Sequence, residues 1–252
     1  MNHSGLTFGS LFAGIGGLDL GLERAGMECR WQVEIDDYAN RVLEKHWPDV
    51  RRHRDVRTWP TADAERVDVI CGGFPCQDIS YAGRGAGLSG ERSGLFYELM
   101  RIVRELEPRF VLLENVAALL VRGMGDVLGT LASFGFDAEW ECLPASAFGA
   151  YHNRDRVFIL ANCTGAGPRF FASARESWAS QFQSRRLDSH SACAGRLVSN
   201  DRFEDEPRMA RMVDVVSGGM DIDSRSRGLG NAVVPQVAEW IGRRIVEACE
   251  TE

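Results

Sequence analysis

The stretch Val67–Ser80, "VDVICGGFPCQDIS", decides how the rest of the chain is read. The apolar run from Val67 to Cys71 has the length of a buried strand and stops on two glycines. Pro75 then stiffens the turn that carries a second cysteine, Cys76. A thiol with a packing role belongs inside the apolar run, where Cys71 stands. Cys76 instead follows the run, at the carboxyl end of the strand, where α/β folds present groups that face a ligand.

Outward from that strand, apolar runs alternate with helical spacing. "LTFGSLF" (6–12), "WQVE" (31–34), "FVLLE" (110–114), "AEWECL" (138–143) and "RVFILA" (156–161) read as further strands. Between them, Leu18, Leu22 and Ala25 share one helical face, with Gly26 as a stop. Ala39, Val42, Leu43 and His46 share another, ended by Pro48. Phe96, Leu99, Met100 and Val103 mark a third, closed off by Pro108. This alternation implies an α/β fold, a mostly parallel sheet covered on both faces. From Cys163 onward the periodicity dissolves into small and polar residues, arginines and isolated aromatics. It returns in "PQVAEWIGRRIVEA", where Val237, Ile241 and Ile245 repeat every four residues and Pro235 lies near the helix start. The expected organisation is a main domain over 1–161, an irregular region over 162–228, and a terminal segment over 229–252 that rejoins the main domain.

Composition excludes several classes. The chain has 252 residues, 44% of them hydrophobic and 26% charged, as in ordinary soluble domains. No apolar run approaches the roughly 20 residues a membrane helix requires, and the amino terminus lacks the layout of a signal peptide. Seven cysteines without a CxxC pair suggest free thiols in a reducing cytoplasm and no zinc site. Net charge is −7, which by itself speaks against nucleic acid. Yet Lys45 is the only lysine, and between Arg169 and Arg211 eight arginines face six acids. That arginine bias is equally well explained by the base composition of the coding DNA.

Four segments carry candidate chemistry. In "FAGIGGLDL" (12–20), Gly14 and Gly16 allow backbone N–H groups to approach a ligand at the start of a helix, although such turns also serve packing. Glu34 ends the second strand, where an acid commonly takes ribose hydroxyls. A dinucleotide fingerprint would want glycine where Asp19 stands, so a single adenosine-bearing ligand fits better. Around Cys76, Pro75 and the downstream loop 78–93 outweigh a packing role. That loop carries five glycines through Gly94 together with Arg84 and Arg92, a composition suited to a lid over a polyanion. In "LLENV" (112–116), Glu114 follows apolar residues at a strand end. It is either paired with an arginine or held with a raised pKa to manage a proton. In "HNRDRVFIL" (152–160), Arg154 and Arg156 alternate onto one side as a strand begins, an arrangement suited to a phosphate or an acceptor oxygen, or to plain exposure.

In this order, these segments resemble the cytosine-C5 DNA methyltransferases. The match comprises Phe12, Gly14 and Gly16; Pro75-Cys76-Gln77; Glu114-Asn115-Val116; Arg154 and Arg156; and "GNAVVPQ" at 230–236. It covers Leu6 to about Leu160 and Leu229 to the end. The resemblance implies a Rossmann-like S-adenosylmethionine-dependent methyltransferase fold. It implies that Phe12, Gly14, Gly16 and Glu34 hold S-adenosylmethionine, with Asp55 directed at the adenine amino group and Asn231 closing the pocket. It makes Cys76 the nucleophile, with Glu114 at cytosine N3 and Arg156 at O2, and assigns Gln77, Arg92 and Arg154 to the DNA or the loop. No metal is implied.

The partners implied are double-stranded DNA and a separate cognate restriction enzyme, for a monomer acting in the cytoplasm. Residues 162–228 stand where relatives read the target sequence. His152 occupies a position at which the family usually has glutamine. Two alternatives stay open: an RNA (tRNA) cytosine-5 methyltransferase of the same fold, and a non-catalytic DNA-binding relative.

Overall fold

A computed structural model describes residues 5–75, 94–150, 152, 154–163 and 228–250. The chain divides into two compact units, Met1–Phe171 with Ala232–Glu252, and Ala172–Asn231. The first contains a seven-stranded sheet. Its strands in chain order are β1 (Thr7–Leu11), β2 (Glu28–Val33), β3 (Arg51–His53), β4 (Val69–Gly72), β5 (Phe110–Val116), β6 (Asp137–Pro144) and β7 (Asp155–Asn162). Across the sheet they run β3-β2-β1-β4-β5-β7-β6. The first five are parallel, while β7 is antiparallel to both β5 and β6. Residues 145–154 are too few for the crossover a parallel pair needs, so β6 and β7 fold back on each other. The α/β fold with a mostly parallel sheet is as the sequence reading expected.

Among the described residues, five helices cover the faces: α1 (Gly17–Arg24), α2 (Asp37–His46), α3 (Gly94–Leu106), α4 (Met124–Ser133) and α5 (Pro235–Glu250). On one face Phe96, Leu99 and Val103 of α3 and Val127 and Leu131 of α4 pack on Ile70, Val111 and Ile159. On the other, Leu18 and Leu22 of α1, Leu43 of α2, and Val237, Ile241 and Ile245 of α5 cover Phe8, Val69 and Leu112. Burial on both faces explains why β4, β5 and β7 read as near-continuous apolar runs. Local chemistry sets the helix ends. The Asp36 carboxylate caps α2 by accepting from the Ala39 N–H at 2.8 Å. Glu107, in a left-handed conformation (φ 49°) just before Pro108, stops α3.

The sequence reading missed β3 and α4. β3 is three residues, Arg-Arg-His, at the sheet edge, and shows no apolar alternation. α4 follows Gly123, contains Gly125 and Gly129, and has no side-chain cap. Among the described residues no helix is long and apolar enough to cross a membrane.

Candidate active site

The loop after β1 runs from Phe12 to Gly16 under visible constraint. Phe12 holds φ 54°, a conformation uncommon outside glycine and frequent at ligand-binding loops. Gly16 takes φ 85° as the N-cap of α1, and a Cβ there would lie 2.4 Å from the Trp47 ring. Both conditions demand glycine. The Gly14 N–H donates to Glu34 Oε2 at 2.7 Å, and the Asp36 N–H donates to Glu34 Oε1 at 2.8 Å. The Glu34 backbone N–H in turn donates to His53 O at 3.0 Å. The Glu34 carboxylate is therefore fixed in orientation, with lone pairs left over for ligand hydroxyls. A Cβ on Gly14 would meet nothing within 4 Å, so the loop opens onto free space. Ile35, 60% exposed, offers an apolar surface beside Glu34.

Asp55 is already engaged. The Arg57 guanidinium donates from Nε to Asp55 Oδ1 at 3.0 Å and from Nη2 to Oδ2 at 2.7 Å. Those hydrogen bonds hold the Asp55 carboxyl below the usual aspartate range.

A second cluster lies at the carboxyl ends of β4 and β5. Glu114 is buried on β5, and Arg156 Nε of β7 approaches its Oε1 at 2.9 Å. The register explains the meeting: Glu114 faces Phe158 and Val116 faces Arg156, so the ion pair is the diagonal of an antiparallel ladder. Burial pushes the Glu114 carboxyl above the ordinary glutamate range, and the Arg156 and Arg154 charges pull it back in part. Burial, followed by repulsion from Arg156, lowers Arg154. A Cβ on Gly73 would lie 2.8 Å from Glu114 Oε2, so the carboxylate stands directly against the turn that leaves β4. The buried Asn115 side chain donates from Nδ2 to Phe74 O at 3.2 Å and accepts the Val116 N–H at 2.9 Å. It thus ties the end of β5 to the turn that leads into Cys76.

The model of the C-5 cytosine-specific DNA methylase family matches residues 6–204. The chain belongs to that family. Two relatives of this methylase-family chain are the Type II methyltransferase M.BsuFI of Bacillus subtilis and the Type II methyltransferase M.Eco47II of Escherichia coli. The first is 35% identical over 159 residues and the second 38% identical over 158. The matches cover 62% and 60% of this chain but 39% and 38% of the relatives, so the chain spans about two fifths of their length. Among solved structures, a prophage-encoded E. coli protein assigned as a DNA modification methyltransferase covers 97% of this chain and 99% of its own. It does so at 19% identity and TM-score 0.64, a likeness of fold.

Within this methylase-family chain the structure brings Gly14 and Glu34 together past the carboxyl ends of β1 and β2, with Phe12 on the same loop as Gly14, and brings Glu114, Arg154 and Arg156 together where β5 meets β7. Cys76, Gln77, Arg92 and the loop 78–93 lie outside the described residues. Asn231 belongs to the second unit, where it ends a helical stretch over 228–231. Sequence reasoning passed over the anchoring contact of Asn115 and the exposed Ile35. The first was visible as an amide placed next to Glu114. The second had no distinguishing signal.

Proposed function

We propose that the chain is a DNA (cytosine-5-)-methyltransferase that transfers a methyl group from S-adenosylmethionine to C5 of cytosine in double-stranded DNA. The observation that carries this reading is the buried Glu114–Arg156 pair set against Gly73, three residues before Cys76. It supports a proton donor and a cation at the strand end from which the thiol follows.

The residues of the first loop suit the cofactor. Glu34 would take ribose hydroxyls and the Gly14–Gly16 turn the methionine part. Ile35 would lie against the adenine ring, and Asp55 would meet its amino group through lone pairs not used by Arg57. When bound, S-adenosylmethionine supplies an electrophilic methyl on its sulfonium. Cytosine C5 is too weak a nucleophile to take it unaided. The Cys76 thiolate would add to C6 while Glu114 passes a proton to N3 and Arg156 holds O2, which leaves an enamine reactive at C5. After methylation, loss of the C5 proton to water drives the electron pair back. The C6–S bond breaks and N3 returns its proton to Glu114. Cysteine suits both halves of this cycle, as a strong nucleophile and a good leaving group. Attack comes from above the ring plane, so the target base must leave its stack. Arg154, Arg92 and Gln77 would hold the DNA or brace the loop around the extruded base. Residues 162–228 would read the target sequence. The Type II names of the relatives support a cognate restriction enzyme as a separate partner; the chain itself would act as a monomer in the cytoplasm.

The test is to incubate the chain with methyl-labelled S-adenosylmethionine and either genomic DNA or tRNA, then map 5-methylcytosine. Transfer to DNA is expected, with Cys76→Ala abolishing transfer while keeping cofactor binding. DNA carrying 5-fluorocytosine should form a denaturation-resistant adduct, because fluorine blocks loss from C5. Label in tRNA alone, or full transfer by the Cys76→Ala protein, would overturn the reading.

A further inference from the structure

Beneath the Phe12–Gly16 loop lies a buried polar cluster that the proposed chemistry does not use. Asp19 sits in the first turn of α1 with no exposed surface. Its Oδ2 accepts from Ser10 Oγ of β1 at 3.0 Å, and its Oδ1 accepts from Gln32 Nε2 of β2 at 2.7 Å. Ser10 and Gln32 are themselves fully buried. Cys29 Sγ lies 4.0 Å from the same Oδ1. Residues 29 and 32 of a regular strand point to opposite faces. Here both reach Asp19 because the pairing of β1 with β2 skips Arg30, with Phe8 opposite Cys29 and Gly9 opposite Trp31. The cluster continues outward. Gln32 Oε1 lies 3.4 Å from Arg52 Nη1 of β3, which donates to Trp47 O at the end of α2 at 2.6 Å.

The positions tied by Asp19 are informative. Ser10 precedes Phe12 by two residues, Gln32 precedes Glu34 by two, and Asp19 rides on the helix that begins at Gly17. One carboxylate thus joins the three elements whose ends form the loop, the fixed acid and the helix start. A buried carboxylate is costly, and apolar side chains would pack α1 onto the sheet without that cost.

We propose that Asp19 is a positioning residue for the cofactor, setting the spacing of β1, β2 and α1 so that the Phe12–Gly16 loop and Glu34 meet S-adenosylmethionine in register. This rests on the cofactor reading above. Asp19→Leu keeps the branched shape and the number of heavy atoms, with bulkier methyl groups, but leaves the Ser10 hydroxyl and Gln32 amide without their acceptor. Asp19→Asn keeps an acceptor for Gln32 and allows Ser10 to turn its hydroxyl toward Cys71, with which it already interacts.

The experiment measures labelled S-adenosylmethionine binding to the full chain by equilibrium dialysis, beside steady-state kinetics. Asp19→Leu should weaken binding at least tenfold and raise KM for the cofactor, while kcat at saturating cofactor holds within about threefold. Asp19→Asn should bind within about threefold of the parent. Combined with Glu34→Ala, the Asp19→Leu loss should shrink, because one of the groups it positions is gone. Should Asp19→Leu fail to fold, Ser10→Ala and Gln32→Met cut the same hydrogen bonds singly, and each should weaken binding threefold or more. Parent-like binding in a folded Asp19→Leu or Gln32→Met protein, or losses that simply multiply with Glu34→Ala, would overturn the proposal. If the unsubstituted chain binds no S-adenosylmethionine, the cofactor reading itself falls, and this inference falls with it.

Discussion

Asp19 also makes the chain's stability depend on pH in a direction opposite to that of most acids. Burial raises its carboxyl to about 6 from an unperturbed 3.8, against the Ser10 and Gln32 hydrogen bonds that favour the ionised form. Between those values the folded state holds a proton that the unfolded state has released. Stability contributed at this position is therefore full below pH 3.8 and falls as pH rises toward 6. Relative to the parent, Asp19→Asn should gain stability across that window, by about 3 kcal/mol at most. Denaturant melts of both proteins from pH 4 to 7 measure the difference, and a flat difference curve would remove the buried charge from the account. The carboxyl of Glu114 is raised for the same physical reason, so the comparison must be between variants rather than along one profile. At this scale the sequence marked Glu114 as a strand-end acid needing an arginine or a proton, and Arg154 and Arg156 as a same-side pair, without joining the acid to either arginine. It marked Asp19 only as a departure from a dinucleotide pattern, since its partners lie on two other strands.

Helix contacts carry the next level of organisation. α1 and α5 approach so closely that a Cβ on Gly21 would lie 2.4 Å from Ala238 Cβ and 2.5 Å from Pro235 O. Gly242 meets Ala25 in the same way, at 2.7 Å. Gly21→Val should therefore push the helices apart and cost about 1–3 kcal/mol, the usual range for overpacking. A lowered thermal midpoint with unchanged far-ultraviolet dichroism at 20 °C would be the signature; an unchanged midpoint would mean that α5 yields freely. The helical spacing of α1, α2, α3 and α5 was legible because each buries one apolar face. α4 was not, since glycines at 125 and 129 blur its pattern. Nor was β3, whose Arg-Arg-His gains strand character only from pairing with β2.

Across the whole molecule, the sheet is completed on one face by a segment far along the chain. Val237, Ala238, Ile241 and Ile245 of α5 are almost wholly buried in the core that also holds Phe8, Val69 and Leu112. Residues 1–171 without 232–252 should expose that surface and lose cooperative thermal unfolding, whereas joining the two segments directly should restore it. A sharp transition from 1–171 alone would show that α5 adds nothing essential. The amino-acid sequence by itself determined the alternation of strands and helices, the family motifs and the residue types at the strand ends, because these depend on periodicity and local turn chemistry. Only the tertiary structure decided that Glu114 meets Arg156 diagonally, that Asn115 holds Phe74, and that a skipped residue at Arg30 brings Gln32 under Asp19. Those depend on register between strands, which no single segment encodes.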